Sequence, residues 1–263
     1  MVHIRQSAVA GTFYPADKEQ LKLTLKHYLN EALEGQKVPR AIIVPHAGYI
    51  YSGAIAATAY ARLKQASQSI KRVVLIGPSH RVGFTGLALS SASDFATPLG
   101  NITIDIDAVK QLAELPFIDY IDQAHEFEHS LEVHLPFLQT VLQQFSLIPV
   151  LAGDASAEQV CQLLEMFWGQ QDCLIVISSD LSHFHDYQTA KELDKKTSEI
   201  FEKLQYEKLN GHSACGCVPV SGLLALARKN KLQLKTIDLR NSGDTAGSNN
   251  RNRVVGYGSY VIE

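Results

Sequence analysis

The chain has 263 residues, 46% of them apolar, and a formal charge of −3 spread along its length. That is enough chain to bury a large core without disulfide or metal staples, and length alone fits one large α/β domain or two small ones. No basic tract marks a nucleic-acid or membrane-surface footprint, no apolar run reaches the roughly 18 residues of a membrane span, and the N-terminal MVHIRQSAVAGTFYP has no secretory apolar region. A cytoplasmic protein is therefore expected, with neither nucleic acid nor membrane as a partner.

The first strong element is AIIV at Ala41–Val44, too short for a helix and β-branched in its middle. It reads as a parallel strand buried on both faces, ended by Pro45 and His46. An alanine-rich helix follows at Ser52–Lys64. Val73–Ile76, Gly86–Ser90 and Ile102–Ile106 read as strands. Phe127, Leu131, Leu135 and Leu138 then form a helical stripe, which Pro136 interrupts. Ser146–Leu151 is a strand, and Ala157–Trp168 is a helix with Val160, Leu163, Leu164 and Phe167 at helical spacing. Cys173–Ser178 is a strand. Tyr187–Leu204 is a helix carrying Glu192 four residues before Lys196. Val220–Lys231 is a helix preceded by Pro219 and ending in basic residues that favour its dipole. Leu232–Leu239 and Val254–Ile262 are strands, separated by Asn241–Asn252, a Gly/Ser/Asn-rich stretch that is a surface loop or a lid. Strands alternating with helices predict one α/β domain over residues 1–263, with a central mixed, mostly parallel sheet covered by helices on both faces.

Cys161 and Cys173 lie in apolar contexts that suit buried thiols. Cys215-Gly216-Cys217 is an awkward disulfide pair, so the chain reads as reduced.

Three strands deliver a histidine just past their carboxyl ends. AIIV continues to His46, VVLI runs through GPSH to His80, and CLIVI runs through SSD to His183. Ligands of open parallel sheets bind at that edge, and adjacent strands lie about 5 Å apart, so neighbouring strands would bring the imidazoles together. Imidazole serves both as metal ligand and as acid or base. Further donors for a divalent metal would come from Asp180, from Glu126, Glu128 and Glu132, or from Cys215 and Cys217. Two histidines and a carboxylate resemble a non-haem iron triad, whereas a thiolate suits zinc, copper or iron. Either set leaves a position for substrate, water or oxygen.

His125-Glu126-Phe127-Glu128-His129 matches H-E-x-x-H, which in zinc proteases needs both histidines on one helix face. In a segment this rich in His and Glu the match arises easily by chance. The preferred expectation is that Glu128, His129, Glu132 and His134 line or orient a shared site, with a solvated helix face as the alternative.

PHAGYIYSG (Pro45–Gly53), GPSH (Gly77–His80), EHSLEVHLPF (Glu128–Phe137), SSDLSH (Ser178–His183) and CGCVP (Cys215–Pro219) together resemble the Memo family. So do AVAGTFYP (Ala8–Pro15) and NSGDTAG (Asn241–Gly247), the latter as in prokaryotic members. The resemblance implies a fold similar to the class III extradiol ring-cleavage dioxygenases. It implies a metal site of His46, His80 and Cys215, with Asp180 and His183 as catalytic partners and His183 as the base. The cofactor it implies is a divalent metal, iron first, with copper or zinc as alternatives. It also implies a companion radical-SAM protein, because prokaryotic members are called AmmeMemoRadiSam system protein B. The dioxygenases use a carboxylate where Cys215 stands, so ring cleavage does not transfer.

Three functions are compatible with these residues. One is redox or oxygen chemistry on a small substrate, with Phe13 and Tyr49 at the pocket mouth. The second is zinc-dependent hydrolysis on the same site. The third is a non-enzymatic module that binds a peptide or anion.

Overall fold

The computed structural model describes residues 3–32, 37–245 and 251–263. Its strands, in chain order, are β1 (Ile4–Arg5), β2 (Ala41–Val44), β3 (Arg72–Pro78), β4 (Leu87–Leu89), β5 (Asp94–Thr97), β6 (Gly100–Thr103), β7 (Ile118–Tyr120), β8 (Ser146–Ala152), β9 (Cys173–Ser178), β10 (His183–His185), β11 (Leu234–Asn241) and β12 (Val254–Ile262). The helices are α1 (Lys18–Glu31), α2 (Tyr49–Tyr60), α3 (Ile106–Leu112), α4 (Asp122–Glu126), α5 (Leu135–Val141), α6 (Ala157–Glu165), α7 (Tyr187–Glu202), α8 (Cys217–Lys229) and α9 (Ser242–Thr245).

The main sheet runs β10–β12–β2–β9–β3–β8–β4–β7, with β11 also on β12, while β1–β5–β6 form a second small sheet. β2, β9, β3 and β8 are parallel, and β12 and β4 flank them in the opposite sense. Successive side chains on a strand point to opposite faces. Every residue of β2 is nevertheless buried, as is every residue after the first of β3, β8 and β9. Both faces of the sheet are therefore covered, which is why these strands read as unbroken apolar runs. α8 packs on β3, β9 and α6, whereas α2 packs on β2, β11, β12 and α1. This is the mixed α/β domain that the alternation predicts.

The boundaries differ where local hydrogen bonds prevail over hydrophobic pattern. The Ile102–Ile106 run divides at Thr103, because the Asp105 side chain accepts from the Ala108 amide and caps α3. The alanine-rich helix starts earlier, at Tyr49, and passes into a 3-10 turn over Ala61–Ala66. α8 starts at Cys217, with Pro219 still in its first turn. β11 starts at Leu234 because Lys231 (φ 54) and Leu232 belong to the turn that ends α8. Glu192 accepts from Gln188 at 2.9 Å rather than pairing with Lys196. Of the Asn241–Asn252 stretch, Ser242–Thr245 form α9, and residues 246–250 lie outside the described residues. All four cysteines are free thiols, and no helix among the described residues is long and apolar enough to cross a membrane.

α7 buries one carboxyl group against β12. Asp194 is 2% exposed, and its Oδ1 accepts from the Ser182 amide at 2.9 Å. Gly256 makes the space: a Cβ there would come within 1.9 Å of the carboxylate. Burial raises the Asp194 pKa from 3.8 to about 6, against the opposing Ser182 hydrogen bond. The folded state thus holds this proton more tightly than the unfolded chain does. Its contribution is therefore full below about pH 4 and is lost as pH rises through about 6, by up to about 3 kcal/mol. Asp194→Asn keeps the shape and cannot ionise. Its unfolding free energy in urea is expected to match the wild type at pH 4 and to exceed it by up to about 3 kcal/mol at pH 8. Equal values at pH 8 would refute the buried, destabilising carboxylate.

Candidate metal centre

β2, β9 and β3 are neighbours, so their carboxyl ends open on one place. His46 follows β2 by two residues, His80 follows β3 by two, and Cys215 arrives on the loop before α8. The His46 and His80 ring centroids are 5.1 Å apart, and Cys215 Sγ is 3.4 Å from His46 Nε2. One donor atom from each of the three lies within 4.8 Å of the others.

Hydrogen bonds to the far nitrogens aim these imidazoles. The Ser178 hydroxyl donates its single proton to the Ser130 carbonyl at 2.6 Å. Its two lone pairs must then accept, one from His46 Nδ1–H at 2.6 Å and one from His134 Nε2–H at 2.9 Å. His46 is therefore a neutral ring with its Nε2 lone pair facing Cys215. Burial, reinforced by His80, His129 and His134, pushes the His46 pKa well below its usual value, and burial lowers that of His134 to about 3. A carboxylate only accepts, so Glu128 Oε1, 2.9 Å from His80 Nδ1, makes that nitrogen the N–H and leaves Nε2 as the lone pair. This is the carboxylate–histidine arrangement that orients metal ligands. Burial alone would raise the Glu128 pKa. Hydrogen bonds from His129 and His80 outweigh it and hold the carboxyl well below its usual range. The amides of His80, His129 and Ser130 also donate to it, at 2.6, 2.9 and 2.9 Å. His80, Glu128 and His129 also place donor atoms within 4.8 Å of one another. Those contacts are taken up by hydrogen bonds, so this is the support of the centre.

Cys215 is held by the Asp180 amide, which donates to Sγ at 3.2 Å. Burial, and then the Asp180 carboxyl, push the thiol pKa well above its usual range. The close approach needs Gly216, where a Cβ would meet the Ser178 carbonyl at 2.4 Å. Two imidazole lone pairs and a thiol are a donor set that fits a divalent transition metal, with the thiolate formed as the metal binds.

Other expected residues fall into distinct places. The third imidazole in ring contact is His129, not His183: its centroid is 4.7 Å from that of His80 and 5.4 Å from that of His46. Phe13 lies against it at 4.8 Å. His183 stands on β10, beside a bulge at Phe184, whose φ of 64 is strained for a bulky residue. Asp180 is buried and its Oδ1 accepts from the His46 amide at 2.8 Å. His183 acts on it electrostatically, without a hydrogen bond between them among the described residues.

Glu132 is not beside the metal donors. Its carboxylate takes Arg5, the Ala8 and Val9 amides and the Tyr14 hydroxyl, fastening the N-terminal segment. Tyr49 is buried rather than at the mouth, its hydroxyl donating to the Val133 carbonyl at 2.7 Å. The protease motif fails because α4 ends at Glu126. His125 turns away to the Ala88 carbonyl at 3.1 Å, while His129 faces the centre. Glu126 is exposed. Sequence reasoning missed Ser178, Ser130 and Arg5. The available signal for Ser178 was a serine ending an otherwise apolar strand.

Ser178→Ala would strand two buried N–H groups, at roughly 1–3 kcal/mol each. It is expected to lower Tm and to weaken divalent-metal affinity about 10- to 100-fold in a competition titration. Unchanged affinity in the folded variant would mean that Ser178 does not aim His46.

The sequence profile of the Memo family ("Memo-like protein") matches residues 5–261. A "MEMO1 family protein" of Aquifex aeolicus is 35% identical over 97% of this chain and 98% of its own length. One of Sulfolobus acidocaldarius is 33% identical over 97% of each, and one of Methanosarcina mazei is 32% identical over the whole of both. The chain belongs to the Memo family.

Proposed function

We propose that His46, His80 and Cys215 hold a divalent metal, iron first with copper or zinc as alternatives, and that the protein carries out redox or oxygen chemistry on a small substrate. One observation carries this reading: three donors meet within 4.8 Å, and hydrogen bonds to both Nδ1 atoms leave the Nε2 lone pairs for a metal, that of His46 facing the thiol. Any buried histidine needs its N–H satisfied, but the convergence of the remaining lone pairs with a thiol is what a metal ligand set requires. A thiolate favours soft or borderline metals and donates charge strongly. When bound, the metal would supply Lewis acidity or electron transfer.

The protein's own residues do the rest. Glu128 and Ser178 keep the ligand rings oriented. The Asp180 amide and Gly216 hold Cys215 in reach. Phe13 and His129 wall one side. His183, which acts electrostatically on Asp180, is the group proposed to move a proton, and the resemblance supports that role. The same resemblance is the support for a companion radical-SAM protein, which a tagged copy of this chain would retain from its own cells.

Metal analysis of protein purified without chelator or added metal tests the reading. Near one iron or copper per chain is expected, falling at least about tenfold in His46→Ala and in Cys215→Ser. Zinc alone, with no oxygen consumed, would favour hydrolysis. Metal content unchanged in both variants would make the assigned site wrong. His183→Ala is expected to keep its metal and lose turnover.

A further inference from the structure

A wide concavity lies far from this chemistry in the fold. It is an open trough of about 920 Å³. Lys71, just before β3, and Ser146, the first residue of β8, line it, so it lies at the amino ends of the parallel strands. The metal donors lie past the carboxyl ends.

Its chemistry is one-sided. Lys18, Lys22 and Lys71 line it, and no Asp or Glu does. The chain as a whole has 27 acidic against 24 basic residues, so a concavity with three lysines and no carboxylate departs from the average surface. Lys22 pairs with Glu19 at 2.8 Å, but both side chains are more than half or about half exposed, and such a pair is weak. Lys18 and Lys71 form no ion pair among the described residues. Lys18 also opens the first turn of α1, where the helix dipole adds positive potential.

The floor is not basic. Half-buried Leu99 and Phe145 present apolar surface, and exposed Gln143 and Gln144 bring amide groups that both donate and accept, whereas the Gln139 amide is taken up by Thr97 and Gly100. β6 is the edge strand of the small sheet, and Asn101 and Thr103 on it are exposed in the trough wall. Amides and an edge strand match peptide backbone, and apolar floor matches alternate side chains. A nucleic acid would call for aromatic platforms and a longer basic track.

We propose that this trough is a docking site for an extended acidic segment of a partner protein. Its carboxylates meet Lys18, Lys22 and Lys71, and its backbone meets the Gln143, Gln144 and β6 side. The partner engages the face opposite the metal centre, so docking leaves the centre open.

The test uses the full-length protein and a fluorescein-labelled peptide of about ten residues alternating Glu and Val, followed by anisotropy at low salt. Saturable binding is expected, and it should weaken with added salt. Lys18→Glu/Lys71→Glu is expected to weaken it by at least about tenfold while metal content stays at the wild-type value. Lys18→Ala/Lys71→Ala serves as a milder second variant and should fall between the two. Absence of saturable binding would overturn the proposal. So would equal affinity in the charge-reversed variant, equal affinity for a control peptide with Gln in place of every Glu, or displacement of the peptide by inorganic polyphosphate at lower concentration than by unlabelled peptide. Metal content is read separately, so failure here leaves the metal assignment untouched.

Discussion

A hydroxyl group has one proton to give and two lone pairs to receive with, and the centre of this protein depends on how Ser178 commits all three. Its proton goes to Ser130, on the turn that also carries Glu128 and His129. Its lone pairs take His46 and His134. One buried oxygen therefore joins the end of β9, the residue beyond β2, and two points on the Glu128–His134 segment. Glu128, on that same segment, turns His80. The directions of both ligand rings are consequently set by groups that water does not reach, where unsatisfied partners are expensive.

The Glu128–His134 segment is itself fixed from behind. Glu132 is fully buried, and its charge is matched by Arg5, two amides and the Tyr14 hydroxyl. Arg5 also donates to the Glu128 and His125 carbonyls. Removing one member of such a buried pair is far more damaging than replacing both. The arrangement explains why a residue as early as Phe13 touches His129: the segment from Arg5 to Tyr14 has no freedom to lie elsewhere.

The parallel core was legible because burial on both faces writes itself as continuous apolar runs, as in Ala41–Val44 and Cys173–Ser178. The convergence of His46 and His80 was legible for the same reason, since both sit at equivalent distances past such runs. Which imidazole joins them was not. His183 also lies past the end of its strand, but five residues beyond β9 rather than two, on β10 beside its bulge. His129 has no strand-end position and is brought in by a turn. The stripe from Phe127 to Leu138, interrupted at Pro136, has helical spacing from its start, because periodicity cannot show that Glu128 takes the amides of His129 and Ser130. Each of those differences comes from a long-range or side-chain hydrogen bond, which a hydrophobic pattern does not record.

The position of β9 between β2 and β3 has a consequence for the order of assembly. In the chain, β9 comes after both of them, and Cys215 comes later still. As the chain leaves the ribosome, His46 and His80 emerge with the slot between their strands unfilled, and Ser178 is not yet present to orient His46. Parallel strands brought together across long separations form late and slowly. The donor set is thus complete only when the sheet is complete, and on the proposed reading capture of a metal would mark a finished chain rather than an early nucleus of folding.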